Sequence, residues 1–133
     1  MIAAAVLLSS LMIILGCLYD YFGNVQVNQL KDELRLAAYA VEESGQAYLE
    51  KLTARDYRYA WTPEYRLTWI ASDGTVLFDT EASAGSMENH GNRMEVREAF
   101  SRGESSSVRY SNTWAERTLY YAKALRDGTV LRI

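Results

Sequence analysis

The chain opens on a run of apolar residues, Met1 to Tyr19, with no charged side chain before Asp20. A helix of about 20 mostly apolar residues is long enough to cross a bilayer once. Tyr19, Tyr21 and Phe22 stand at the end of the run, where aromatic side chains favour the membrane–water interface. This pattern predicts a transmembrane helix over residues 1–19.

Two other interpretations of the apolar run stay open. A cleaved signal peptide is one, although no Lys or Arg precedes the run and the run is long for a signal peptide. The other is a lipidated protein, because Ile14-Leu15-Gly16-Cys17 loosely resembles a lipidation site. The missing basic flank leads us to expect that residues before Met1 were removed, so charge does not predict the orientation in the membrane.

From Asp20 to about Thr53 the chain has no proline, and apolar or small residues recur every three or four positions. This spacing predicts a membrane-proximal helix over residues 20–53 with an apolar stripe along one side. The stripe can be the seam of a homodimer that carries motion to the membrane, or it can cover the sheet of the chain's own domain. Its members are Val27, Leu30, Leu34, Ala37, Val41, Ser44 and Tyr48.

The remaining residues, 54–133, form one domain in which β-forming stretches alternate with turn signals, after a connector around Pro63. Asp73-Gly74 and Asp127-Gly128 are hairpin turn signals. Between the second and third strands a short helix is expected, with Asn92 as its cap and Glu95 completing a capping box. The predicted strands are residues 65–70, 75–78, 106–111, 118–125 and 129–133.

This order of elements predicts an α+β fold. A long N-terminal helix is followed by an antiparallel sheet of five strands, with a helix-bearing loop between strands two and three. The same arrangement is found in PAS-like and Cache-like sensor domains. The predicted core consists of Leu67, Trp69, Val76, Phe78, Val96, Phe100, Tyr110, Leu119, Tyr121 and Leu131.

Composition and residue types exclude several functions. The net charge is −3 and no basic stripe stands out, which argues against nucleic-acid binding. The single histidine, His90, and the single cysteine, Cys17, lie in different segments and cannot form a nucleophile–base pair. No phosphate-binding glycine loop or zinc-ligand spacing is present. We therefore expect no enzymatic activity, no metal and no cofactor in this chain.

Specific stretches lie in the second half of the chain: Leu77-Phe78-Asp79-Thr80, Met87-Glu88-Asn89-His90, Arg93 to Phe100, Arg109-Tyr110-Ser111, Leu119 to Ala122 and Asp127 to Arg132. Together they resemble the extracytoplasmic sensor region of bacterial sensor histidine kinases, above all the phosphate-regulon type of Gram-positive bacteria. The resemblance extends to Tyr19-Asp20-Tyr21-Phe22 at the membrane exit. Relatives often carry a proline where this chain has Met94, and both residues suit the start of a helix.

The resemblance implies a signal-sensing input module outside a bacterial cell membrane. It also implies a parent protein with a second transmembrane helix, a phosphoacceptor histidine, an ATP-binding domain and a response regulator as partner. The last predicted strand reaches Ile133, so we expect an excised piece that has no kinase activity and binds no ATP. A sensor domain of a chemoreceptor or nucleotide cyclase, and a tethered solute-binding protein, remain alternatives.

The resemblance further points to the loop with Asn89, His90 and Arg93 as the ligand site. Arg93 and Arg109 could hold a small anion by bidentate contacts, and His90 titrates near neutral pH. Tyr121 completes the candidate set. Each residue also has an ordinary structural interpretation as a salt bridge, loop-ordering or core residue, and we prefer that interpretation for each. A partner protein could replace the small ligand.

Overall fold

The computed structural model describes residues 2–53, 65–110 and 117–133, so the connector predicted around Pro63 lies outside the described residues. The elements follow the predicted order, with a short 3₁₀ turn at Ala84–Ser86 before the last helix. The helices are α1 Ile2–Ser44, α2 Gln46–Thr53 and α3 Met94–Arg102. The strands are β1 Thr68–Ile70, β2 Val76–Asp79, β3 Glu104–Tyr110, β4 Arg117–Ala124 and β5 Val130–Arg132.

Helix α1 is continuous for 43 residues and passes the predicted boundary at residues 19 and 20 without a break. Its apolar side chains from Ile2 to Val25 are exposed, because no other part of the described chain packs on them. By length and composition this helix could cross a membrane, a property that it shares with signal sequences near an N-terminus. The chain is therefore compatible with membrane association.

The helix predicted over residues 20–53 is wrong in one respect, because Gly45 interrupts it. Gly45 has a φ of +59°, a conformation that glycine adopts without the steric cost of a Cβ. Its N–H still donates to the carbonyl of Val41 at 2.7 Å, which closes the last turn of α1. The chain then turns into α2, which brings Leu49 into the same core as Leu34.

The five strands form one antiparallel sheet in the order β2-β1-β5-β4-β3. The predicted α+β fold, with a helix between the second and third strands, is confirmed. Strand β5 lies in the middle, between β1 and β4, so it is β5 that joins the β1–β2 hairpin to β3 and β4 in one sheet. Gly74 and Gly128 stand in the two hairpin turns with φ of +86° and +82°, as the turn signals predict.

Helices cover both faces of the sheet. Helices α1 and α2 bury one face, with Leu34, Leu67 and Leu131 at its centre. Helix α3 covers the other face with a smaller apolar cluster that includes Val96 and Ala122. Phe100 was predicted to be a core residue, but this prediction is wrong, because its side chain is 36% exposed on the outer side of α3. The buried members are Leu67, Val76, Val96, Tyr121 and Leu131, and the partly buried ones are Trp69, Phe78 and Leu119. The side chain of Tyr110, the remaining member, lies outside what the structure describes.

The apolar stripe of α1 packs on the chain's own sheet, which was one of its two interpretations. Leu34, Ala37 and Val41 are buried in the larger core. Leu30 and Tyr48 pack against that core, while Val27, nearer the N-terminus of α1, is partly buried. The buried side chains of Leu34, Ala37 and Val41 therefore cannot serve as a dimer seam without opening the core. Any helix-mediated dimer must use side chains of α1 that the sheet leaves exposed.

Candidate functional site

The α3 face of the sheet carries an arginine cluster, which we define as Arg66, Arg93, Arg109, Arg132 and the carboxylates of Asp79 and Glu95. Strand register brings most of it together, because Thr68 is paired with Asp79 on one side and with Arg132 on the other. Side chains of directly paired residues lie on the same face of a sheet. Arg109 comes from β3, and Glu95 comes from the first turn of α3.

Glu95 is the centre of the cluster and is completely buried, with 0% exposure. Its carboxylate accepts hydrogen bonds from Arg109 Nη2 at 2.8 and 2.9 Å and from Ser107 Oγ at 2.6 Å. Arg132 Nε forms an ion pair with Glu95 Oε1 at 2.9 Å. Burial alone would raise the pKa of Glu95, but the Ser107 hydroxyl and the two guanidinium groups lower it overall. Glu95 is therefore ionised and ties α3 to β3 and β5.

Tyr120 lies beneath both of these arginines. The guanidinium carbon of Arg132 is 4.2 Å from the centre of the Tyr120 ring, and that of Arg109 is 4.5 Å away. A guanidinium at this distance from an aromatic face gains a cation–π attraction. The partly buried Tyr120 ring therefore stabilises the guanidinium groups of Arg109 and Arg132, in addition to the Glu95 carboxylate.

Asp79 forms a second buried centre next to the first. Its carboxylate accepts hydrogen bonds from Arg66 Nε at 2.8 and 3.0 Å and from Thr68 Oγ1 at 2.8 Å. It also accepts the backbone N–H groups of Glu81 and Ala82, each at 2.9 Å. Burial raises the pKa of Asp79, but these hydrogen bonds outweigh burial and lower it. Asp79 thus orders the loop after β2.

His90 lies inside the loop that covers the cluster and is only 6% exposed. Its Nδ1 is 2.8 Å from the carbonyl oxygen of Glu88, and its backbone N–H donates to the Gly74 carbonyl at 2.8 Å. Burial lowers the pKa of His90, and the charges of Arg132 and Arg93 add to this, although the Glu88 carbonyl opposes them. The neutral ring, with Nδ1–H donating, is the form that fits.

Asn89 and Arg93 take different positions in the same loop. Asn89 Nδ2 donates to the carbonyl of Asp73, and its Oδ1 accepts the N–H of Gly91, both at 2.8 Å. Asn89 therefore fastens the loop to the β1–β2 turn and has little left to offer a ligand. Arg93 is half-buried, with Nη2 4.0 Å from Glu88 Oε1, a loose and largely exposed pair.

The predicted capping box at the start of α3 is wrong. The helix is capped at Arg93, not at Asn92, and no side chain bonds to the cap. Glu95 points into the arginine cluster instead of back to the cap, because two guanidinium groups outcompete one backbone N–H for a buried carboxylate. Gly103 ends the helix, with a φ of +88° that glycine adopts without the steric cost of a Cβ.

Tyr121 does not belong to this site. It lies on the opposite face, in the core under α1, and is 3% exposed. Burial, and next the Glu104 carboxylate, raise the pKa of Tyr121 to about 12. The structure thus brings His90, Arg93 and Arg109 to one face and leaves Tyr121 on the other, so Tyr121 was wrongly included in the candidate set.

Sequence reasoning missed Glu95, Arg132, Tyr120 and Ser107 as members of the site. Alternation along β3 and β4 does put Ser107 with Arg109, and Tyr120 away from Tyr121. The pairing of Glu95 with Arg132 had no such signal, because it depends on which strand lies beneath α3. Every ionised group of the cluster that is buried has a partner of opposite charge, so the site suits coupling between elements more than acid–base chemistry.

No known family model matches the chain, and no curated protein matches it as a relative. Across residues 2–53, 65–110 and 117–133, no group of three His, Cys, Asp or Glu side chains is placed to hold a metal ion. The resemblance to sensor histidine kinases therefore stays a prediction that rests on the sequence motifs.

Proposed function

We propose that this chain is the extracytoplasmic, signal-sensing input module of a membrane-bound bacterial sensor histidine kinase. One observation supports this above all. The same uninterrupted helix, α1, is apolar and exposed from Ile2 to Val25 and is packed on the sheet from Leu30 to Val41. A continuous helix is stiff, so movement of the domain shifts or rotates its membrane end as one piece.

Polar contacts add to the apolar grip of the domain on α1. The Tyr65 hydroxyl donates to Glu33 Oε2 at 3.2 Å, before β1 begins. Arg126 at the β4–β5 turn donates its backbone N–H to Glu42 Oε1 at 2.9 Å. Glu33 and Glu42 lie nine residues apart along the helix. The two contacts together therefore resist both sliding and rotation of α1 relative to the sheet. A relay that moves α1 must therefore move the sheet as well.

The stimulus, in this proposal, acts on the loop and helix over the arginine cluster. Arg93 is the candidate contact for a small anion, because its present partner, Glu88, is exposed and 4.0 Å away. An anion that forms a bidentate contact would replace this loose pair. A partner protein that binds the same loop is the other candidate stimulus. Either would act through Glu95, which connects α3 to strands β3 and β5.

Homodimerisation belongs to the same proposal, through the outward face of α1. Its exposed apolar residues repeat at steps of three and four, interrupted by Gln29 and Asp32. This is the spacing of a helix–helix seam. The residues are Leu18, Phe22, Val25, Leu36 and Tyr39.

The decisive experiment uses the full-length natural protein in liposomes with ATP labelled on the γ-phosphate. We expect an acid-labile, alkali-stable phosphohistidine outside this chain, with transfer to a response regulator. A full-length protein that incorporates no phosphate while its outer domain is folded would reject the kinase output. It would leave a chemoreceptor or a nucleotide cyclase; a mature protein lipidated at Cys17 would instead indicate a tethered solute-binding protein.

The same assay tests the helix as the route of the signal. One alanine inserted after Asn24 rotates the membrane end by about 100° relative to the domain. Seven inserted alanines restore the phase to within about 20°, so they serve as the matched control. We expect the single insertion to change basal autophosphorylation several-fold and the seven-residue insertion to leave it nearly unchanged. Equal activity in all three proteins would reject a rigid helical relay.

A further inference from the structure

The outward face of α1 carries a heptad pattern with two polar members in its middle. Its exposed residues are separated by alternating steps of four and three, which is the spacing of a helix–helix seam. The pattern stays in step across Gln29 and Asp32, so these two belong to it as much as the apolar residues do. We define the outward stripe as Leu18, Phe22, Val25, Gln29, Asp32, Leu36 and Tyr39.

Asp32 is the one charged member of the outward stripe, and it faces away from the sheet. Successive residues of an α-helix lie about 100° apart, so Asp32 is about 200° around the helix from the fully buried Leu34. The Asp32 side chain is 74% exposed. A carboxylate in a closed helix seam loses its water, and the cost of that loss falls only if a cation neutralises the charge.

Arg35 lies between the outward stripe and the sheet. It is about 60° from Asp32 and about 100° from Leu34 around the helix. Its Nη1 is 3.7 Å from Asp32 Oδ1, and its Nη2 is 3.5 Å from Glu104 Oε1 on β3. One guanidinium therefore serves two carboxylates, one on the stripe and one on the sheet. Both contacts are long and partly exposed, so Arg35 can strengthen either of them at the expense of the other.

The other charges of α1 next to Asp32 are directed elsewhere. Lys31 has its Nζ 5.5 Å from the centre of the Tyr121 ring, on the sheet side of the helix. Glu33 accepts a hydrogen bond from the stretch that precedes β1. Among the described residues, Arg35 is the only cation within 4.0 Å of the Asp32 carboxylate. The charge balance of the outward stripe therefore depends on where Arg35 points.

Glu104 stands where a movement of α3 reaches it. Only Gly103 separates Glu104 from the end of α3 at Arg102. The first turn of the same helix carries Glu95, the centre of the arginine cluster. A displacement of α3 over the arginine cluster is therefore passed to Glu104 across a single residue, and from there to Arg35.

We propose that Arg35 is a charge switch between the sheet and the pairing of two α1 helices. While Glu104 holds Arg35, the Asp32 carboxylates of two copies oppose each other and weaken pairing along the outward stripe. When Glu104 moves away, Arg35 neutralises Asp32 and the pairing tightens.

The occupant of the outward stripe is a second copy of this chain, parallel and in register. Two α1 helices that start in the same membrane run in the same direction, and a two-fold axis between them sets equal residues opposite each other. Asp32 of one copy then faces Asp32 of the other. This inference rests on the homodimer of the proposed function and adds the element that regulates it.

The test measures the dissociation constant of the dimer by sedimentation equilibrium of the full chain in detergent micelles. Asp32→Asn removes the repulsion, so we expect the dissociation constant to fall about tenfold. Asp20→Asn is the matched control, because Asp20 lies on the same helix about 200° from Leu18 and off the outward stripe. Glu104→Gln releases Arg35 toward Asp32 and should lower the dissociation constant about threefold or more.

The combined variants separate a switch from a general effect of charge. Glu104→Gln should change the dissociation constant by less than about twofold once Asp32→Asn or Arg35→Gln is present, because the two effects share one guanidinium. An undiminished effect of Glu104→Gln on either background would overturn the proposal. So would equal effects of Asp32→Asn and Asp20→Asn, or a natural chain that stays monomeric at every concentration. None of these results depends on phosphorylation, so the switch can fail while the kinase output stands, and the reverse.

Discussion

At the scale of single residues, Glu95 holds together three elements, its own helix α3 and the strands β3 and β5. Glu95→Ala would leave the Arg132 guanidinium buried without its carboxylate and remove the anchor of Arg109. Breaking a buried ion pair from one side costs about 3–5 kcal/mol, so we expect a loss of that order in the free energy of unfolding in urea. Glu88→Ala is the control, because its exposed pair with Arg93 is worth about 0–1 kcal/mol. Similar losses in both variants would contradict this role of Glu95.

The pH dependence of stability also belongs to this scale. The pKa of His90 is lowered from its ordinary 6.5, so below that pH the unfolded chain binds more protons than the folded one and stability falls. The pKa values of Asp79 and Glu95 are lowered from 3.8 and 4.5. Protonating these carboxylates therefore also favours the unfolded chain, so stability falls further at more acidic pH. We expect melting temperature to fall as pH drops from 7 to 5, measured by circular dichroism. His90→Gln should flatten this part of the curve and keep the loss at lower pH; an unchanged slope would show that His90 does not cause it.

At the scale of elements, the β1–β2 turn and the His90 loop depend on each other. A Cβ at Gly74 would overlap Asn89 Oδ1 and approach Gly91 N to 2.5 Å, and Gly74 also has a positive φ. Gly128 has nearly the same φ, but nothing lies within 4 Å of the added Cβ. We expect Gly74→Ala to cost about 3 kcal/mol or more, and Gly128→Ala about 1–2 kcal/mol from the backbone alone. Urea unfolding measures both, and equal costs would mean that the loop yields freely.

The sequence predicted the two hairpin turns, at Asp73-Gly74 and Asp127-Gly128, because a tight turn needs residues such as Asp-Gly at adjacent positions. It did not predict the start of α3 correctly. Asn92 and Glu95 have the spacing of a capping box, but the capping box is a local preference worth about 1 kcal/mol. The charges of Arg109 and Arg132, supplied by two strands that come later in the chain, outweigh it.

At the scale of the whole molecule, α1 presents one face to the sheet and a different face outward. Leu34 is 0% exposed and Leu36 is 69% exposed. A substitution at Leu34 therefore tests folding, and one at Leu36 tests the proposed association. If the proposed homodimer forms through the outward face of α1, we expect Leu36→Asp to weaken it in sedimentation experiments and to leave the domain folded. Leu34→Ala should cost about 2–5 kcal/mol of stability through the cavity that it leaves. A Leu36→Asp protein that still dimerises as tightly as the natural chain would rule out the outward face as the seam.

What the sequence determined by itself is local in origin. The uncharged run before Asp20, the helical spacing that follows and the glycine turns each act over a few neighbouring residues, so the α+β order of elements could be predicted. The tertiary structure decided which side of α1 meets the sheet, and that Tyr120 and not Tyr121 stands beside the arginines. These features depend on which strands become neighbours. That choice is made by burying both faces of one sheet at once, and no short stretch of the chain specifies it alone.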